Sequence, residues 1–128
     1  MTDIMHLDTH TAIWLGMKEL HRLPAKVIQR INVSTPMISP LVILEMQYIA
    51  ETKKIEITPW EIIENLQAAL GLEICKDPYE WVIRESLNLS WTRDPFDRLI
   101  VANSSLAQVP LLTKDRVILR NYSRAIWD

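Results

Sequence analysis

Cysteine and glycine are scarce in this chain of 128 residues. The single cysteine, Cys75, excludes an intrachain disulfide and any zinc site built on several cysteines. Because the chain has only two glycines, Gly16 and Gly71, long flexible connections are not expected. The seven prolines are expected to mark the ends of the elements instead. We expect Cys75 to be an inert, buried thiol.

Long hydrophobic runs are absent as well. The longest, such as Leu41–Leu44 and Leu99–Ala102, are far too short to span a bilayer. The first residues include Asp3 and Asp8, where a signal peptide would carry basic and then apolar residues. We therefore expect a cytoplasmic protein with no membrane partner.

The composition is that of an ordinary globular protein, with 48% hydrophobic and 23% charged residues. This excludes a disordered chain, and the length predicts a single domain over residues 1–128. The net charge of −2 argues against a nucleic-acid partner, but the charge is unevenly distributed. Residues 1–92 carry eight basic and twelve acidic side chains, whereas residues 93–128 carry six basic and four acidic ones. The last third is therefore locally basic.

Short apolar segments alternate with helical ones along the chain. Strands are expected at Ile4–Leu7, Met37–Ser39, Leu72–Cys75 and Pro110–Thr113, and Lys54–Ile57 is expected to form a further small strand or arm. Helices are expected at Thr9–Gly16, Pro24–Ile31, Pro40–Thr52, from Thr58 to near Gly71, at Asp77–Leu89, Asp94–Ala107 and Arg116–Arg120. Thr58 and Glu61 have the spacing of a capping box. The alternation predicts an α/β fold with a mainly parallel sheet, in which ligands bind outside the carboxyl ends of the strands.

Acidic residues stand at several of these strand ends. Asp8 follows the first strand, Asp115 follows the strand at Pro110–Thr113, and Asp94 and Asp97 open a helix. Each also has a structural interpretation. Asp8, Asp94 and Asp115 are well placed to cap helices, and Asp97 could complete a capping box with Asp94.

Glu45 is more informative because it lies within an apolar stripe. Its neighbours at helical spacing are Leu41, Val42, Tyr48 and Ile49. Burying a carboxylate costs several kcal/mol unless a partner is supplied, and no Lys or Arg lies within four residues. The alternative is a Glu exposed on the edge of the helix.

Taken together, these acids predict a metal site at one edge of the sheet. Several facing carboxylates cannot all stay ionised without a cation, and oxygen ligands of this kind suit Mg²⁺ or Mn²⁺. Sites of this type hydrolyse phosphodiesters.

The motifs resemble those of PIN-domain nucleases, and within them the VapC-type toxins of toxin–antitoxin pairs. The matching segments are LDTH at 7–10, Ser39 with Glu45, Lys54–Ile57, RDPFDR at 93–98 with the apolar residues 100–102, LLTKD at 111–115, and Ile126–Trp127. The RDPFDR and LLTKD segments, in that order and spacing, are the most specific.

This resemblance implies an endoribonuclease that depends on Mg²⁺ or Mn²⁺. The implied metal ligands are Asp8, Glu45, Asp97 and Asp115, with Asp94 as an auxiliary ligand or only a helix cap. Thr113 would orient a ligand or a metal-bound water. Arg93 and Arg98 would contact phosphate, or pair with neighbouring acids. The family also implies homodimers, RNA as substrate, and an antitoxin whose C-terminal segment blocks the site.

Two other functions fit parts of the pattern. A receiver-like signalling domain also binds Mg²⁺ at strand ends, but it requires an aspartate where this chain has Ser39 and Pro40. A non-catalytic interaction module would normally have lost some of the acids. The tryptophans and the histidines beside Asp8 are expected to serve packing or hydrogen bonding, and the helix surface of Leu41–Ile49 with Trp60 and Ile63 is expected to be partly available to a subunit or antitoxin.

Overall fold

The computed structural model describes residues 3–128, which form one parallel sheet with helices between its strands. The strands are β1 (Asp3–Leu7), β2 (Ser34–Ile38), β3 (Glu73–Ile74), β4 (Leu111–Leu112) and β5 (Ala125–Ile126). The α-helices are α1 (Thr9–Gly16), α2 (Ala25–Asn32), α3 (Pro40–Lys53), α4 (Pro59–Leu70), α5 (Tyr79–Ser86), α6 (Pro95–Ala107) and α7 (Arg116–Asn121). A short 3-10 helix covers Leu20–Arg22.

The order of the strands fixes where a ligand site can form. The sheet runs β3-β2-β1-β4-β5, and every pairing is parallel. The chain therefore starts at the central strand, moves to one edge through β2 and β3, and then returns to the other side of β1. The point at which the strand order reverses lies between β1 and β4, where a crevice opens at the carboxyl ends. The predicted α/β fold with a parallel sheet is confirmed.

The sheet and its helices enclose one apolar core. Its fully buried side chains include Leu7, Ile38, Leu111 and Leu112 from the strands, and Val42, Met46, Ile63 and Ile100 from the helices. The end of α1 approaches α4 very closely, because a Cβ atom on Gly16 would collide with Cγ2 of Ile62. Gly16 therefore sets the distance between these two helices.

The segment Lys54–Ile57 does not form the expected strand. Helix α3 ends at Lys53, and Lys54 adopts a left-handed conformation with φ 51°. The chain then turns, because the amide of Ile57 donates to the carbonyl of Ile55 at 2.9 Å. A chain that reverses within three residues cannot extend along a sheet edge.

Two expected helix starts also differ in detail. Thr58 precedes α4, but its side chain makes no capping hydrogen bond, so the predicted capping box with Glu61 is wrong. Helix α5 begins after Pro78 and not at Asp77, whose carboxylate accepts from the Cys75 thiol at 3.3 Å. None of the helices in the described part of the chain combines the length and apolar composition that crossing a bilayer requires.

Candidate active site

The predicted acids meet in one open cleft of about 430 Å³ at the carboxyl ends of β1 and β4. Its acidic lining residues are Asp8, Glu45, Asp94, Asp97 and Asp115. The remaining lining residues are His10, Thr11, Trp14 and Lys114. The cleft therefore lies at the reversal of strand order and brings together four segments that are far apart in the sequence.

Asp8 has both a structural and a cleft-lining position. One carboxylate oxygen accepts from the amide of Thr9 at 2.8 Å, which caps α1, and the other accepts from the hydroxyl of Thr113 at 2.5 Å. Burial raises the pKa of Asp8, and the two hydrogen bonds and the charge of His10 oppose that rise. Asp115 raises it further. The N-cap interpretation of Asp8 is correct and does not compete with a role in the cleft.

Thr113 is buried and joins two of the acidic segments. Its hydroxyl donates to Asp8 and accepts from the amide of Asp115 at 3.0 Å. Asp115 in turn caps α7, because one of its oxygens accepts from the amides of Val117 and Ile118, both at 2.9 Å. Thr113 therefore positions the carboxylates that follow β1 and β4.

Replacing Thr113 by valine tests this positioning role. Valine has the same shape but leaves a carboxylate oxygen of Asp8 and the amide of Asp115 without their partner. We expect a loss of about 1–3 kcal/mol in the free energy of unfolding. We also expect a fall of about 10- to 100-fold in the RNA cleavage that the motif resemblance implies. Urea unfolding and cleavage assays measure the two effects. Thr113→Ser keeps the hydroxyl and should keep most of the activity; equal losses in both variants would contradict the role of the hydroxyl.

Glu45 lies on α3 and is half-buried at the cleft, where its carboxylate accepts from the hydroxyl of Thr9. Burial raises the pKa of Glu45, the bond from Thr9 lowers it, and three neighbouring carboxylates raise it. The alternative expectation, that Glu45 is exposed on the edge of the helix, is therefore wrong. The partner that the sequence could not supply locally is a hydroxyl from α1.

Asp94 and Asp97 open α6 but are used differently. An oxygen of Asp94 accepts from the amides of Phe96 at 2.9 Å and Asp97 at 3.2 Å, so Asp94 is the helix cap. The amide of Asp94 donates to the hydroxyl of Thr92 at 3.2 Å, so the capping-box interpretation of Asp97 is wrong. The carboxylate of Asp97 remains available to the cleft.

The effect of the negative charge in the cleft is clearest in the pKa of Asp97. Burial, and after it the charges of the four other carboxylates of the cleft, together raise this pKa from 3.8 to about 7. No ion pair joins a cleft carboxylate to a Lys or Arg among residues 3–128. The site is an accumulation of negative charge that protons or a cation must offset.

The donor set fits a hard divalent cation. Carboxylate and hydroxyl oxygens dominate the lining, and His10 provides the cleft's one imidazole. Within the described part of the chain, however, no three His, Cys, Asp or Glu side chains are already arranged to hold a metal ion. Thr9 and Thr113 engage oxygens of Glu45 and Asp8. A cation would therefore have to compete with these two hydroxyls for the carboxylate oxygens.

The two predicted phosphate-binding arginines lie outside the cleft lining. Arg98 donates to three carbonyls, those of Ser86 at 2.8 Å, Thr92 at 3.3 Å and Leu87 at 3.4 Å. It therefore ties the end of α5 to α6, and it pairs with no described acid. Arg93 is exposed and likewise forms no ion pair with a described residue.

Sequence reasoning misses four residues of the cleft wall, namely His10, Thr11, Trp14 and Lys114. The sequence places Trp14 in core or dimer packing, and it does contact the buried Trp127 with a centroid distance of 6.0 Å. It also lines the cleft. Their positions in the sequence could have identified two of these residues as part of the cleft. Lys114 lies between Thr113 and Asp115, and Trp14 follows His10 by one helical turn.

Several solved structures share this fold. A chain from the crystal structure of DNA-bound VapBC from Salmonella typhimurium has a TM-score of 0.66 and 20% identity, and the match covers 98% of each chain. A chain from VapBC2 of Rickettsia felis, bound to a DNA fragment from their promoter, has a TM-score of 0.64 and 20% identity over 98% of this chain and 99% of that one. A chain from a toxin–antitoxin complex of Klebsiella pneumoniae has a TM-score of 0.60 and 15% identity over 95% of each.

At these identities the likeness establishes the fold alone, and no curated protein matches the sequence significantly. The family comparison is more direct. The PIN domain family matches residues 5–124, which is nearly the whole chain and includes every acid of the cleft. The chain belongs to the PIN domain family.

Proposed function

We propose that this protein is a metal-dependent endoribonuclease and acts as the VapC-type toxin of a toxin–antitoxin pair. The observation that carries the proposal is the half-buried carboxylate of Asp97, surrounded by four other carboxylates that pair with no basic side chain of residues 3–128. Membership of the PIN domain family supports it, because nucleases of this family generally use divalent metal ions.

The residues of the cleft have two roles, metal binding and the positioning of the metal ligands. Asp8, Glu45, Asp97 and Asp115 would hold Mg²⁺ or Mn²⁺, with Asp94 at the edge of the site. The bound cation supplies activation of a water and stabilisation of the leaving oxygen during phosphodiester hydrolysis. Thr113 keeps the carboxylates of Asp8 and Asp115 in place, and Thr9 does the same for Glu45. The raised pKa of Asp97 means that metal and protons compete for this site.

An antitoxin and a second copy of the chain are the proposed protein partners. The three structural relatives described above come from VapBC and toxin–antitoxin complexes. The predicted apolar helix surface is partly exposed, with Leu44 45%, Tyr48 49% and Trp60 54% accessible. Ile63, which the sequence also predicts to be part of this surface, is fully buried in the core. Side chains of this kind are characteristic of protein interfaces.

The receiver-like alternative receives no support from the site. Ser39 follows β2, is fully buried, and caps α3 by accepting from the amide of Leu41 at 3.1 Å. The residue that follows β2 is therefore not a carboxylate, although this is where the phosphoacceptor aspartate of a receiver domain would lie.

Metal removal gives the direct test. Purified chain free of antitoxin is incubated with total cellular RNA in Mg²⁺, in Mn²⁺ and in a chelator. We expect discrete fragments with either metal, none in chelator, and recovery of cleavage when metal is returned. Cleavage that continues unchanged in chelator would overturn the metal-dependent mechanism. A folded protein that binds Mg²⁺ but cleaves no RNA would overturn the proposed activity.

A further inference from the structure

One wall of the cleft is aromatic and basic, in contrast to the acids opposite. Trp14 projects from α1, and its ring lies 5.7 Å from His10 and 6.0 Å from Trp127 between centroids. Trp127 is only 8% exposed, so the core anchors the indole from behind. The ring of Trp14 is therefore a fixed element of the cleft.

Two cations lie over this ring. Nζ of Lys114 is 5.8 Å from the ring centroid, and the guanidinium carbon of Arg22 is 5.6 Å from it. Such contacts are weak at exposed sites. They favour one placement of a long side chain without preventing it from binding a ligand.

Lys114 occupies this place although five carboxylates share the cleft with it. It forms no ion pair with any carboxylate of residues 3–128. Arg22 is bound to Glu19 through Nε at 2.6 Å, which leaves its two terminal nitrogens free of that contact. Arg98, by contrast, is engaged with three carbonyls. Lys114 is therefore a cation in the cleft that remains available to a ligand, and Arg22, which lies over the Trp14 ring but outside the cleft lining, is a second one beside it.

We infer that Trp14, Lys114 and Arg22 form a phosphate-binding wall for the RNA strand. Lys114 binds a phosphate in the cleft and Arg22 binds one just outside it, and Trp14 is a positioning residue whose ring both cations contact. The inference rests on the proposed ribonuclease function. Its physical basis is charge: a polyanion entering a cleft of five carboxylates is repelled unless cations stand along its path.

The test measures binding of a fluorescein-labelled, mixed-sequence single-stranded RNA in Mg²⁺ over a range of salt concentrations. The protein carries Asp97→Asn throughout, so that the probe stays intact. Lys114→Gln is compared with Lys26→Gln, which removes the same charge from an exposed position of α2. Lys114→Arg restores the charge, and Arg22→Gln tests the second cation.

We expect Lys114→Gln to weaken binding about 5- to 10-fold and to reduce the slope of log K against log salt by about 0.7, the value for one single-strand phosphate contact. Arg22→Gln should have a smaller effect in the same direction, Lys114→Arg should recover most of the affinity, and Lys26→Gln should stay within about twofold of the parent. The inference is overturned if Lys114→Gln and Lys26→Gln have the same affinity and slope. It is also overturned if Lys114→Gln tightens Mg²⁺ binding and leaves the salt slope unchanged, because Lys114 would then only offset the acids.

The proposed ribonuclease function and the proposed phosphate-binding wall can be refuted independently. If wild type cleaves RNA but Lys114→Gln binds it like the control, the nuclease remains and the phosphate-binding wall is wrong. If wild type cleaves no RNA but Lys114→Gln reduces binding and slope as expected, the wall remains and the nuclease is wrong.

Discussion

Replacing Asp97 by asparagine is expected to reduce RNA cleavage by about a hundredfold to a thousandfold. The same change should make the metal-free protein more stable. The asparagine side chain keeps the shape of the aspartate but removes one negative charge from a site where burial and neighbouring carboxylates raise the pKa of Asp97 to about 7. Because Asp94 caps α6, the start of that helix does not depend on Asp97. Cleavage rates in Mg²⁺ and thermal unfolding in chelator measure the two effects.

Opposite changes in activity and stability distinguish a functional carboxylate from a structural one. Glu64→Gln is the matched control, since it removes one exposed acid of α4 outside the cleft and should alter neither property appreciably. Cleavage by Asp97→Asn within about threefold of wild type would remove Asp97 from the proposed mechanism. A large loss of stability in the metal-free protein would instead assign Asp97 a role in holding the fold.

Relative to Asp97→Asn, the metal-free wild type is expected to lose stability as the pH rises from about 5 to about 8. The comparison cancels the opposite trend of buried His6, whose pKa of about 4 lies below its value in the unfolded chain. The folded state holds the Asp97 proton with a pKa of about 7, whereas the unfolded chain releases it near 3.8. The folded state therefore binds more protons between these values, and stability falls as the pH passes through that window. Allowing for solvent screening at a half-buried group, we expect a loss of about 1–2 kcal/mol. That corresponds to a fall of about 4–8 °C in Tm.

Divalent cations should remove this pH dependence. At about pH 8 the carboxylates are ionised and ready to bind, so Mg²⁺ or Mn²⁺ at about a hundred times Kd should add about 2.7 kcal/mol. At about pH 5 protons compete, and the gain should be much smaller. In Asp97→Asn the metal-free protein should lack the fall in stability that ionisation of Asp97 causes. A wild-type Tm that rises with pH relative to Asp97→Asn in chelator over that range would contradict the clustering of charge in the cleft.

Local chemistry explains why much of the fold is predictable. Asp8, Asp94 and Asp115 are all candidates for helix caps in the sequence, and all three do cap helices. In a parallel sheet a cap that follows a strand also lies at the carboxyl edge, so one side chain can serve both purposes. The alternation of short apolar runs with helices is therefore enough to predict four of the five strands and the position of the cleft, whereas β5 is not among the expected strands.

Contacts between distant segments are not predictable in the same way. The second arginine of the RDPFDR motif, Arg98, suggests phosphate binding, but its partners include carbonyls at the end of α5 that only the folded chain brings near. The alternation at Lys54–Ile57 suggests a strand, yet the left-handed Lys54 and the bond between Ile57 and Ile55 produce a turn. The sequence assigns Trp14 to packing because periodicity does not reveal that a ring can rest on Trp127 and also line the cleft.

The position of β4 in the sheet has a consequence for synthesis of the protein. Thr113 and Asp8 are 105 positions apart, and β4 pairs directly with the central strand β1. Until the segment of β4 has been translated, one side of β1 has no partner, and the cleft lacks the carboxylate of Asp115. Chains fold from the N-terminus as they emerge, but this sheet closes only when β4 and β5 arrive. Under the proposed function, a partly translated chain that lacks β4 is therefore an inactive enzyme, although it already carries most of the acids of the cleft.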